Sequence, residues 1–141
     1  MKSIISIIFI SFLAFSCTMK NEKSKEVVNE TPEHVGDIIL SNIESNYGSF
    51  INNDTLNDGT LFYSVALKGE ARFASEKNII GLIDKTLEKV PDEIKENVQG
   101  VGSGYLYNSY KWNTPLITLK VQSDFYVAKD SIYVRLWMNK K

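Results

Sequence analysis

Ser131-Ile132-Tyr133-Val134-Arg135-Leu136-Trp137-Met138 is the stretch that decides the fold. Ile132, Val134, Leu136 and Met138 fall on one side of an extended chain, and Tyr133, Arg135 and Trp137 on the other. That period of two marks a strand with one face in a core. Just upstream, Leu116 to Val121 repeats the pattern, with Ile117, Leu119 and Val121 opposed to Thr118, Lys120 and Gln122. Tyr105 to Trp112 is extended and aromatic, and Lys129-Asp130 reads as a turn if Phe125 to Ala128 is strand. Consecutive short strands predict an antiparallel sheet, and an α+β domain with two to three helices packed on one face of it.

The helices lie earlier in the chain. Thr31-Pro32-Glu33 is a helix start: a hydroxyl cap, a ring that presets the first turn, and a carboxylate at the positive end of the dipole. Val35, Ile38, Ile39, Ile43 and Tyr47 form its apolar stripe, Gly36 weakens its first turns, and Gly48 stops it. Asn52 to Gly59 is dense in turn formers and reads as a solvated loop. Leu61, Tyr63, Val65 and Leu67 alternate as a strand. A helix capped by Ser75 follows, with Ile79, Ile83, Leu87 and Val90 inward, and Pro91 breaks it. Pro91-Asp92-Glu93 predicts a further short helix carrying Ile94 and Val98 and ending at Gly100. The glycines at 100, 102 and 104 predict a flexible hinge.

Met1-Lys2 opens the chain, Ile4 to Phe15 is apolar apart from Ser6 and Ser11, and Ala14-Phe15-Ser16 precedes Cys17, the single cysteine. An apolar run of about 12 residues makes a helix of roughly 18 Å, too short for a hydrocarbon core of about 30 Å. The segment resembles a bacterial lipoprotein signal, 1–16, in which Cys17 becomes the acylated N-terminus. Ser16 fits that pattern, while Ala14 and Phe15 depart from its usual Leu-then-small form. The resemblance implies a membrane anchor through the lipid on Cys17. Residues 17–30, rich in Lys, Glu, Asn and Ser, form a tether to a single domain at 31–141. Thr18 is not the acidic residue that keeps enteric-type lipoproteins at the inner membrane, so the expectation is the outer membrane. Asp54-Thr55-Leu56 and Asp130-Ser131-Ile132 resemble the O-glycosylation sites of exported Bacteroidota proteins.

The formal charge of −1 comes from alternating signs with no basic stripe, which speaks against nucleic acid. The single histidine, His34, stands in a first helical turn with no convergent partners, so it reads as a surface residue. The glycine run follows a helix and precedes a strand, the reverse of a dinucleotide cradle. An EF-hand alignment of Asp54 to Val65 places Leu56 and Val65 at ligand positions and fails. Glu88, Asp92, Glu93 and Glu96 mix with lysines as a solvated face. No cofactor, metal or catalytic residue is expected.

The aromatics remain. Tyr133, Arg135, Trp137, Tyr110 and Trp112 form the candidate binding surface, since such side chains anchor protein interfaces and stack on sugar rings. Cross-strand packing is the competing account. The resulting expectation is a lipid-anchored, non-catalytic envelope module that meets a protein partner through this face. A glycan or small-ligand binder is the alternative, and a hydrolase the least favoured.

Overall fold

The computed structural model describes residues 31–102, 104–126 and 129–141. The expected signal, Cys17 and the expected tether lie outside the described residues. The chain runs α1 (Pro32–Tyr47), β1 (Asn52–Thr55), β2 (Leu61–Lys68), α2 (Arg72–Leu87), β3 (Glu93–Gln99), β4 (Tyr105–Asn113), β5 (Ile117–Tyr126) and β6 (Ser131–Lys140). All pairings are antiparallel, in one six-stranded sheet of order β1-β2-β6-β5-β4-β3. The two helices pack on one side of it, so the fold is α+β.

The alternation seen in the sequence sets which side is covered. Ile132, Val134, Leu136 and Met138 are completely buried, together with Ile117, Leu119 and Val121 on β5. Across from them, α1 contributes Val35, Ile39 and Ile43, and α2 contributes Ile79 and Ile83. Thr31 caps α1, its Oγ1 accepting the His34 N–H at 3.2 Å. Gly36 has a packing reason: a Cβ there would stand 2.8 Å from Met138 Sδ, so glycine lets α1 settle onto β6.

Five local expectations are corrected. Residues 93–99 form strand β3 rather than a helix. Ile94 and Val98, four apart, fit helical spacing, but β4 presents an open edge and pairing satisfies the backbone there. The register slips by one between Lys95 and Val98, and Asn97 takes a positive φ of 53°. This bulge turns Ile94 toward the covered side and Val98 toward the open side. The segment leading into β3 also departs from expectation: α2 ends at Leu87, where Glu88 adopts a left-handed conformation, and Val90 is exposed. Pro91 disfavours a helical residue before it, consistent with this early stop.

At its other end α2 starts at Arg72, ahead of Ser75; Arg72 Nη1 donates to the Gly69 carbonyl at 2.8 Å and pairs with Asp130 at 2.7 Å. Within 52–59, residues 52–55 are an edge strand, and only Leu56 to Gly59 is a turn. Finally, the glycines do not form a hinge but close the β3–β4 hairpin. The Gly100 N–H donates to the Tyr105 carbonyl at 3.0 Å, and a Cβ at Gly100 would collide with the Tyr105 ring. Two acidic residues of this region are separately engaged: Lys89 pairs with Asp92 at 2.7 Å, and Glu93 pairs with Lys111 at 3.1 Å.

Trp112 is fully buried under α2 and donates its indole N–H to Asp84 Oδ1 at 2.9 Å. Trp112→Ala is expected to lower stability by about 3–5 kcal/mol in denaturant unfolding. Ile94→Ala, on a residue 57% exposed, should change it by no more than about 0.5 kcal/mol. Equal effects would contradict this placement of the core.

Candidate functional site

The helices leave the second face of the sheet uncovered, and there the strands curve into a trough. Its volume is about 470 Å³. The floor comes from β4, β5 and β6: Tyr107, Ser109 and Lys111, then Thr118, Lys120 and Gln122, then Trp137 and Asn139. Glu93 and Lys95 of β3 form one wall, and Leu56, Asp58 and Thr60 around the β1–β2 turn form the other. The turn is fixed in place. Asp58 Oδ1 accepts the Thr60 N–H at 2.9 Å, and Thr60 Oγ1 bonds Asn139 Oδ1 at 2.6 Å. The Thr60 amide hydrogen bond holds the Asp58 carboxyl below its usual range.

Two aromatic groups flank this floor. Phe62 and Trp137 pair with ring centroids 5.4 Å apart, and Lys120 Nζ lies 5.0 Å over the Trp137 ring. Toward the other end Tyr105 stacks on Tyr126 at 5.1 Å and meets Tyr107 at 6.1 Å. Between the groups sits Asp124, fully buried although its strand position faces outward. Gln122 Nε2 donates to its Oδ1 at 2.8 Å, and the Tyr105 hydroxyl donates to the same oxygen. Arg135 Nε stands 2.9 Å from Oδ2, a close ion pair whose N–H is not aligned as a hydrogen bond. A buried carboxylate survives only when neighbours supply charge and donors, so these three side chains are locked together. Burial, followed by the adjoining Asp124 carboxylate, pushes the Tyr105 phenol up to about 12.

The structure divides the candidate surface. Tyr133, Arg135 and Trp137 are on the open face, but only Trp137 lines the trough. Arg135 is engaged by Asp124, and Tyr133 stands opposite Ala66 and Asp124. Tyr110 and Trp112 belong to the covered face, because they pair in register with Val121 and Leu119. They are 7% and 0% exposed, so they cannot serve a surface site. The lysines and polar groups of the floor escaped the sequence reading, which lacked the cross-strand register that lines up Lys111, Lys120 and Trp137. Of the two glycosylation-type patterns, Asp54-Thr55-Leu56 is exposed, whereas Asp130 is paired with Arg72 and Ile132 is buried. His34 is exposed at the start of α1.

A second polar group lies between α2 and the sheet. Glu76, 3% exposed, accepts the Asn108 amide at 3.0 Å, and the Tyr110 hydroxyl donates to Glu96 at 3.1 Å. Burial, then the charges of Glu76 and Glu96, raise the Tyr110 phenol above the ordinary tyrosine range. Neither carboxylate reaches the trough.

Both phenols stay neutral in the fold above the unfolded value of 10.0. The stability they contribute is therefore complete below pH 10 and falls as pH rises from there toward 12. A tyrosinate absorbance titration should show a late component that shrinks in Tyr105→Phe; an unchanged late component in that variant would contradict the assignment. No family model, curated protein or solved structure matches this chain.

Proposed function

We propose that this chain is a lipid-anchored, non-catalytic binding module of the cell envelope, with its ligand lying across the open sheet face. One observation carries the reading: helices cover one face of the sheet, while the other is concave, half-exposed and flanked by aromatic rings. Single-sided antiparallel sheets commonly face water with polar side chains. Here that face carries Tyr107, Trp137 and a trough whose volume of about 470 Å³ lies within the range of small-molecule sites. The concavity and its hydroxyl and amide lining favour a glycan or small ligand over a broad protein partner, for which a flat patch would serve. The carboxylates that line it are engaged: Asp58 by the Thr60 amide, and Glu93 by Lys111 at 3.1 Å. A general acid needs the opposite environment, one that keeps its proton near neutral pH.

The envelope location rests on Cys17 and the segment before it. Cys17→Ser should move the chain from the membrane fraction to the soluble one and abolish incorporation of labelled fatty acid; retention of label would contradict the lipoprotein reading. For the surface, tagged chain is purified from gently solubilised native envelope. Material bound by the unaltered chain should be lost in Tyr107→Ala/Trp137→Ala and kept in Lys77→Ala, on the exposed side of α2. Equal retention by all three would remove the open face from consideration.

A further inference from the structure

Lys111 on β4 and Lys120 on β5 stand directly opposite one another in register, on the same open face. Like charges in that position repel and weaken a sheet. Their side chains turn apart: Lys111 Nζ reaches Glu93 at 3.1 Å on the β3 side, and Lys120 Nζ lies over Trp137 on the β6 side. Lys95, which pairs with Ser109 two residues before Lys111 on β4, adds a third ammonium to the trough. Among the described residues three lysines thus face two carboxylates there, an excess of one positive charge, with Asp58 kept ionised in the β1–β2 turn by the Thr60 amide. An anion placed between Lys111 and Lys120 would turn the repulsive pair into a clamp.

The remaining lining narrows the anion's carrier. Ser109, Thr118, Gln122 and Asn139 offer hydroxyls and amides, Tyr107 and Trp137 offer flat faces, and among the described residues Leu56 is the single aliphatic side chain of the lining. Two common ways of holding a peptide are pockets for its apolar side chains and pairing with a sheet edge. The floor strands β4, β5 and β6 are all interior, paired on both sides, and present neither. Acidic motifs are read chiefly by arginine clusters, which this lining of lysines lacks. A pyranose carries hydroxyls around its rim and an apolar C–H face that stacks on an aromatic ring. We propose that the trough binds an acidic saccharide, with a uronic-acid carboxylate between Lys111 and Lys120 and a sugar ring against Trp137 or Tyr107. This assignment rests on the open-face reading above and specifies its ligand class.

The test uses the full chain carrying Cys17→Ser, titrated calorimetrically with galacturonic acid trisaccharide, neutral galactose trisaccharide and a hexaglutamate peptide. The acidic sugar should bind at least about tenfold more tightly than either comparison ligand, and its affinity should fall with added salt. Lys111→Gln/Lys120→Gln should weaken it by about tenfold or more, and Lys77→Gln should not. Lysine-to-glutamine changes on an exposed floor keep the fold, which far-ultraviolet circular dichroism verifies. Equal binding of the neutral sugar, or preference for the peptide, lost in Trp137→Ala, would overturn the acidic-saccharide assignment and leave the open-face reading standing. If none of the three binds, the acidic-saccharide assignment falls, and if the envelope material is also retained by Trp137→Ala the open-face reading falls with it.

Discussion

In the antiparallel pairing of β5 with β6, Val121 stands opposite Leu136 and Leu119 opposite Met138, while Lys120 stands opposite Trp137 and Gln122 opposite Arg135. That register places aliphatic side chains on one face and aromatic and charged ones on the other. A slip by one residue would send Ile132, Val134, Leu136 and Met138 into water and bring Arg135 into the core. The hydrophobic effect fixes the pairing, since each fully buried aliphatic side chain stabilises by about 1.5–3 kcal/mol. From these two strands the sheet extends outward, by β2 on one side and β4 on the other.

The consequence is a molecule with two unlike faces. Under the helices, glycine at position 36 admits Met138, and Trp112 fills the space beside α2. On the other side, polar contacts take over from apolar ones. Asp124, Arg135, Gln122 and Tyr105 brace the middle of the face, so the trough beside them has a stiff floor. The edges are protected differently. β1 is four residues long and polar, and β3 carries Glu93, Lys95 and Glu96 together with a bulge. Short, charged and kinked edges discourage pairing with another sheet. The curved interior of the face is thus its most available surface.

Much of this was legible from residue order alone. The alternation in 116–121 and 131–138 identified both the strands and their buried sides, and Thr31-Pro32 marked the start of α1. What escaped was decided by partners distant in sequence. The spacing of Ile94 and Val98 fits a helix, and only the open edge of β4 makes the segment a strand. Asn52 to Thr55 looks like a loop because its strand character comes from pairing with β2. Tyr110 and Trp112 carry the same chemistry as Tyr133 and Trp137, and register alone sends them to the covered face. For the same reason Tyr107, Lys111, Lys120 and Trp137, spread across three strands, could not be assembled into one site before the sheet was known.

The account ties function to the uncovered face and assigns the covered one to stability. Amide shift mapping of the isotopically labelled chain, titrated with the glycan fraction of solubilised envelope, tests that division directly. Shifts confined to β4, β5, β6 and the β1–β2 turn, centred on Lys111, Lys120 and Trp137, are the predicted result. Shifts centred on α1, α2 and the Glu76–Asn108 contact, with the open face unperturbed, would contradict it.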